Sequence, residues 1–356
     1  MSIFFQPAVF YPAGVSPYGI TAADFNGDGN LDLAITDIGN EEIAVLLGNG
    51  DGTFQAASFF GVGINPTSIT AADFNDDGKI DLAVADSNGG DIAILLGNGD
   101  GTFLPATAVT VGSNPISIVS ADFNGDHEMD LAVTDVGLGN VNVLLGNGDG
   151  TFLSPVPYAV GNSPYGIAAA DFTGDGIVDL VAAVGGDNNV AVLINNGDGT
   201  FQAATHYSVG TGPMEIAVAD FNGDGKRDLA VSNFDSMNVA ILLGNGNGTF
   251  QAASFVSIGS NLEGIIAADF DKNGTFDLAV ADNGSNNVAI LSGNGDGTFG
   301  PEQFYAVGSY AAGLVTGNFN NDGRTDLAVT NTYSNNVAIL LNNTNSPLRG
   351  VSFLDR

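Results

Sequence analysis

Asp24-Phe-Asn-Gly-Asp-Gly-Asn-Leu-Asp32 decides how this chain is read, because close copies of it recur along the whole sequence at one spacing. Side-chain oxygens stand at its first, third, fifth and ninth positions (Asp24, Asn26, Asp28, Asp32), and Gly29 at the sixth permits a sharp turn. Three carboxylates packed into so short a segment repel one another unless a positive charge sits among them. A hard divalent cation that takes about six to eight oxygens relieves that repulsion, and calcium suits such a flexible loop better than magnesium.

The copies open at Asp24, Asp73, Asp122, Asp171, Asp220, Asp269 and Asn318, every 49 residues without insertion or deletion. A period of this size means a solenoid, a propeller or an array, so the content of one unit decides. In the unit Phe54 to Thr102, four short strand-like runs follow one another: Ala57 to Val62, Ser68 to Ala72, Asp81 to Ala85 and Ile92 to Leu96. Between them lie Gly-Ile-Asn-Pro, the acidic loop, Ser87 to Gly90 and Gly97-Asn-Gly-Asp-Gly101, all turn chemistry, and no run has a helical period. Four antiparallel strands per repeat make a propeller blade, and seven blades close a ring without long open edges. The expected fold is therefore all-β, a seven-bladed β-propeller spanning residues 5–347 as one domain, with a C-terminal tail at 348–356.

Residue size agrees with that geometry. The run before each loop is rich in small residues, such as Ala22-Ala23 and Ala71-Ala72, as the crowded strand beside the axis requires. Phenylalanine follows the first residue of every loop (25, 74, 123, 172, 221, 270, 319), and a second series occupies 5, 54, 103, 152, 201, 250 and 299; both read as filling between sheets. The chain begins in the phase of an outermost strand and ends in that of a third strand, so the N-terminal strand is expected to complete the last blade. Val351-Ser-Phe353 in the tail competes for the same place.

The formal net charge is −33 with only seven Lys or Arg, which argues against nucleic acid and against anionic membrane surfaces. A 44% hydrophobic content in short regular runs marks a packed core rather than acidic disorder. Cysteine is absent, no apolar run approaches the roughly 20 residues of a membrane span, and Met1 to Phe5 leads straight into repeat sequence without a signal peptide.

Asp-Phe-Asn-Gly-Asp-Gly-x-x-Asp, followed by Leu-Ala-Val and by Leu-Leu-Gly-Asn-Gly-Asp-Gly-Thr-Phe, resembles the FG-GAP and VCBS class of repeats, the calcium-loop propellers similar to integrin α-subunit head domains. The second strand runs into Val84-Ala85-Asp86 instead of Gly-Ala-Pro, so the likeness is to the bacterial style of repeat and integrin partners are not carried over. The resemblance implies one calcium per blade, up to seven, in the loop between first and second strands, with the seventh residue offering its carbonyl. The implied ligands are Asp24, Asn26, Asp28, Asn30 and Asp32; Asp73, Asn75, Asp77, Lys79 and Asp81; Asp122, Asn124, Asp126, Glu128 and Asp130. They continue with Asp171, Thr173, Asp175, Ile177 and Asp179; Asp220, Asn222, Asp224, Lys226 and Asp228; Asp269, Asp271, Asn273, Thr275 and Asp277; Asn318, Asn320, Asp322, Arg324 and Asp326. The Asn318 loop, with two carboxylates, is expected to be weakest, followed by the third loop, where His127 replaces glycine at a position that favours positive φ.

The calcium loops and the Asn-Gly turns fall on one face of the ring, and the two remaining connections of each blade on the other, more variable face. That face offers Tyr18, Tyr165, Met214, Tyr310 and Tyr333 as candidate ligand contacts, and no Lys, Arg or His. Such a surface suits stacking and hydrogen bonding to a neutral sugar or a protein, so the expected function is a calcium-stabilised, extracellular or cell-surface, lectin-like or adhesive binding module. It is expected to be a monomeric ring and not an enzyme. A carbohydrate-active hydrolase or lyase, which would need a carboxylate pair on that face, and a structural scaffold cut or amplified from a larger repeat protein are the alternatives.

Overall fold

A computed structural model describes residues 3–344. Twenty-eight strands form seven antiparallel sheets of four. The first blade is typical: Pro17–Ala23 is innermost, followed outward by Asp32–Asp37, Glu42–Leu46 and Ser58–Gly61. Second and third strands are buried on both faces because neighbouring blades sandwich each sheet. Outer strands are mostly exposed, and inner strands line the axis, where adjacent blades bring them side by side.

Ring closure follows the N-terminal phase of the sequence. Val9–Pro12 pairs antiparallel with Asn336–Leu340 and becomes the outer strand of the seventh blade. Phe5 bridges Asn342, and the Phe4 amide donates to the Thr344 hydroxyl at 3.0 Å, so the splice extends to the first described residues. The tail segment Val351 to Phe353 lies outside the described residues.

The two phenylalanine series meet between blades. Phe25 packs edge-to-face on Phe103 at 5.6 Å, Phe123 on Phe201 at 5.7 Å and Phe319 on Phe54 at 5.6 Å, each joining one blade to the next. The apolar core accordingly consists of seven clusters, one at each blade–blade junction. Among the described residues there is no α-helix, only two 3-10 turns at Asn283–Ser285 and Thr332–Ser334, and no helix long and apolar enough to cross a membrane.

One feature of the inner strand is absent from the sequence expectation. Pro17 pairs with Asp37 and Ile20 with Ile35, so Tyr18 and Gly19 together oppose Thr36, a β-bulge that recurs in all seven blades. Such an extra residue bends the strand and re-aims its side chains. Hydroxyls brace it: Thr330 Oγ1 donates to the Tyr18 carbonyl at 2.6 Å and accepts from the Gly313 amide at 2.9 Å. Thr134 does the same for Tyr165 and Ser232 for Glu263, each reaching from one blade to the next.

Candidate functional site

The acidic loops lie where the repeat places them, between the first and second strands, beside the Asn-Gly turns. Within the first loop, Asp24 Oδ1 accepts from the Gly27 amide and Oδ2 from the Gly29 amide, both at 2.8 Å, while Asn26 Oδ1 accepts from Asp28 at 2.9 Å and Asp28 Oδ1 from Asn30 at 2.8 Å. These bonds wind the loop so that Gly27 and Gly29 both take positive φ, 73° and 86°. Sequence reasoning anticipated only the second of these. Across the copies the fourth position is left-handed even where it is Asp76, Lys272 or Asn321.

Ninth-position aspartates have a further task. Asp32 is fully buried and accepts the Phe25 amide at 2.9 Å and the Gly48 amide at 2.7 Å, clamping the loop to the neighbouring turn. Asp81, Asp130, Asp179, Asp228, Asp277 and Asp326 repeat the clamp. Burial pushes the carboxyls of Asp32, Asp130, Asp277 and Asp326 up to about 6, against the lowering effect of the two amide donors.

The sixth loop has a donor set that fits a calcium ion: oxygens of Asp269, Asp271 and Asp277 all lie within 4.8 Å of one another, about twice a calcium–oxygen bond, and among the described residues this is the loop that gathers three carboxylates so closely. Each ionised carboxylate keeps lone pairs beyond those its amide donors use. Lys79, Lys226 and Arg324 add a contrast at the seventh position: their side chains pair with the fifth-position Asp77, Asp224 and Asp322 at 3.1, 3.1 and 3.0 Å. At the same position Asn30 receives a bond from Asn321 of the seventh-blade loop, Thr275 bonds Asn273, and Glu128 and Ile177 lie against Gly148 and Gly197. His127 adopts the anticipated positive φ, 74°, with its ring exposed.

On the opposite face the bulges build a cup around the axis. The bulge residues form one ring of Tyr18, Thr67, Ile116, Tyr165, Met214, Glu263 and Ala312, and a second of Gly19, Ser68, Ser117, Gly166, Glu215, Gly264 and Gly313. Together with aliphatic side chains further along the inner strands, among them Ile20, Ile69, Ile167 and Leu314, they line an axial cavity of about 460 Å³. A second hollow of about 360 Å³ opens beside it, sharing Tyr165, Met214 and Glu263 and adding Ser163, Phe234, Asp235 and Tyr310. Four of the five residues picked from the sequence thus border these cavities. Tyr333 is 72% exposed and its ring lies 4.5 Å from that of Tyr310.

Glu215 and Glu263 were missed, and they are the charged residues of the cup wall. Glu263 is only 6% exposed; its Oε1 accepts from Tyr18 O–H at 3.2 Å and its Oε2 from Asn283 Nδ2 at 2.8 Å. Tyr18 reaches it across the seventh blade, where Ala312 is the ring residue. Burial lifts the Glu263 carboxyl to about 7 even though Asn283, Tyr18 and Tyr310 favour its charged form. Burial likewise lifts Glu215 to about 7, although part of its surface stays open to the lumen. The Tyr18 hydroxyl is held well above its ordinary value by burial and by Glu263. Tyr310 has a φ of 61°, at a turn position that is also left-handed in five other blades, where it is Ser16, Asn65, Ser163, Gly212 and Asn261.

A model of the FG-GAP-like repeat matches at residues 24–84, 73–133, 129–182, 171–231, 220–280 and 269–329. The chain belongs to the FG-GAP-like repeat family. No curated protein matches it. Among solved structures, this FG-GAP propeller is similar to BBS1N in complex with ARL6DN, with a TM-score of 0.68 at 16% identity over 95% of this chain and 96% of that one. A streptogramin B lyase matches with a TM-score of 0.65 at 18% identity, over 96% and 98%. A catalytically inactive variant of virginiamycin B lyase from Staphylococcus aureus with quinupristin gives 0.63 at 16%, over 95% and 99%. At such identities the likeness is one of fold.

Proposed function

We propose that this FG-GAP propeller is an extracellular binding module in which calcium holds the blades and the axial cup takes the ligand. The observation that carries this reading is the convergence of Tyr18, Tyr165, Met214 and Tyr310 on adjoining cavities on the variable face. Rigid aromatic rings beside hydroxyls and carboxylates suit the stacking and hydrogen bonding that a sugar ring needs. No Lys, Arg or His lines either cavity, so anionic ligands, nucleic acid and anionic membranes are disfavoured. Carbohydrate is therefore preferred over a protein surface, and the ring works as a monomer. Glycan-array binding with and without EDTA, on the parent protein and on Tyr165→Ala, tests the reading. Sugar binding lost in Tyr165→Ala supports it, and binding that survives that change removes the cup from it.

A second reading is favoured by one observation. Glu215 and Glu263 lie in adjacent blades, both with carboxyls raised to about 7, the range in which a carboxylic acid serves as general acid or base at neutral pH. A carbohydrate-active hydrolase or lyase would use them so. Product formation from a bound polysaccharide, abolished by Glu263→Gln, would establish it; intact polysaccharide after prolonged incubation would exclude it for that substrate.

A further inference from the structure

The cup combines three features that the repeat alone does not demand. Its largely aliphatic wall carries Tyr18 and Tyr165, its charges are all negative, and a tyrosine, Tyr310, occupies a left-handed turn position that other blades give to Ser, Asn or Gly. Glu263 is common to both cavities, Glu215 faces the lumen and Asp235 stands at the rim of the outer hollow. The equivalents of Glu263 in the other blades are uncharged, and so are those of Glu215, so neither glutamate is needed to build a blade. Burying a carboxylate is costly unless something compensates it, and the partners of Glu263 are neutral hydrogen-bond donors.

Tyr310 points the same way. The left-handed turn itself belongs to the repeat; what is particular to the seventh blade is that a bulky tyrosine occupies it where Ser, Asn or Gly would sit with less strain. Here φ of 61° leaves the Tyr310 ring in the hollow with Glu263, its other face against Tyr333. Aromatic faces and carboxylates around one cavity attract a cation from two sides, through the ring quadrupole and through charge-assisted hydrogen bonds. We propose that the cup recognises an ammonium group carried on a carbohydrate, an amino sugar whose free amine sits between Glu263 and the Tyr310 ring while its ring stacks on Tyr165. This rests on the cup being the ligand site.

Tetrasaccharides of β-1,4-linked glucosamine, N-acetylglucosamine and glucose share one linkage and differ at the amine. Calorimetric titration of each, at physiological salt and in excess calcium, gives the test. The glucosamine form is expected to bind about tenfold or more tightly than the glucose form, the equivalent of one charge-assisted hydrogen bond. Glu263→Gln is expected to erase that gain, so that the glucosamine and glucose forms bind the variant with affinities within about twofold of each other. An advantage that survives Glu263→Gln would come from the general acidity of the protein, since one carboxylate of 40 acidic residues hardly changes the overall field, and would overturn the proposal. Equal binding of all three sugars, lost in Tyr165→Ala, would overturn the proposal and keep the cup as a neutral-sugar site. Binding of none of them, or binding indifferent to Tyr165→Ala, would overturn both. Tyr310→Asn, which removes the ring and suits the left-handed turn as Asn65 and Asn261 do, gives an independent variant should Glu263→Gln melt early; an undiminished advantage in it would overturn the proposal.

Discussion

The acidic loops and the axial cup handle acidic residues in opposite ways. On the loop face, carboxylates come in seven near-copies and accept backbone amides at about the same atoms in each, as Asp32 and its six equivalents do. On the cup face, Glu215 and Glu263 occur once each, among neighbours that are Gly, Ser, Thr, Ile, Met, Tyr or Ala at the equivalent positions. What every unit repeats builds the ring. What one unit alone carries has no architectural duty, and it gathers where a cavity is available.

Chelation should break the comparison most forcefully. If calcium fastens the loops, each site at about a hundredfold excess over its dissociation constant adds about 2.7 kcal/mol to the folded state. Excess EDTA should then lower the melting temperature by many degrees and leave the isolated chemistry of the cup unaltered; an unchanged melt would remove calcium from the account.

Next in size is a pH effect that the cup shares with the buried loop aspartates Asp32, Asp130, Asp277 and Asp326. The folded Glu263 carboxyl holds its proton to about 7, well above its ordinary value of 4.5, so the folded state binds more protons than the unfolded chain between those values. Stability therefore falls as pH rises through that window, by an amount on the order of 3 kcal/mol. In Glu263→Gln the decline should be visibly shallower when melts are recorded from pH 4 to 8 at fixed calcium, and an identical decline would show that Glu263 does not carry it.

Paired substitutions to glycine sharpen the contrast further. His127 and Tyr310 both hold positive φ, so His127→Gly and Tyr310→Gly should each stabilise the fold by about 1 kcal/mol through relief of strain. Only Tyr310→Gly should weaken ligand binding. A loss of binding in His127→Gly instead would place the ligand on the loop face. The smallest effect is expected from Lys79→Ala: removing an exposed ammonium 3.1 Å from Asp77 should raise calcium affinity in the second loop several-fold with little change in melting temperature.

Much of the ring was legible because the 49-residue period carries strand count, turn chemistry and both phenylalanine series at once. The splice by Val9–Pro12 followed from phase alone. The cup was only half legible. Tyr18, Tyr165, Met214 and Tyr310 stood out as variable-face residues, yet the bulge that turns them and their neighbours to the axis leaves no compositional mark, since Tyr18-Gly19 reads like any strand start. Glu215 and Glu263 fell inside a strand whose neighbours are Gly-, Ser- and Ala-rich, and a glutamate there reads as solvated until the inner strands are placed around a shared lumen. Aligning the seven units column by column is the signal that would have exposed them.

The central claim is that holding the ring and holding the ligand are separate tasks on separate faces. A sugar that bridged a loop-bound calcium would merge them. Titration of Tyr165→Ala with the tetrasaccharide that binds the parent protein, in excess calcium and with the melting temperature taken on the same sample, tests the separation directly. The account predicts binding lost and the melt unchanged within about 1 °C, the effect of somewhat under 1 kcal/mol in a protein of this size; binding retained in that sample would contradict it.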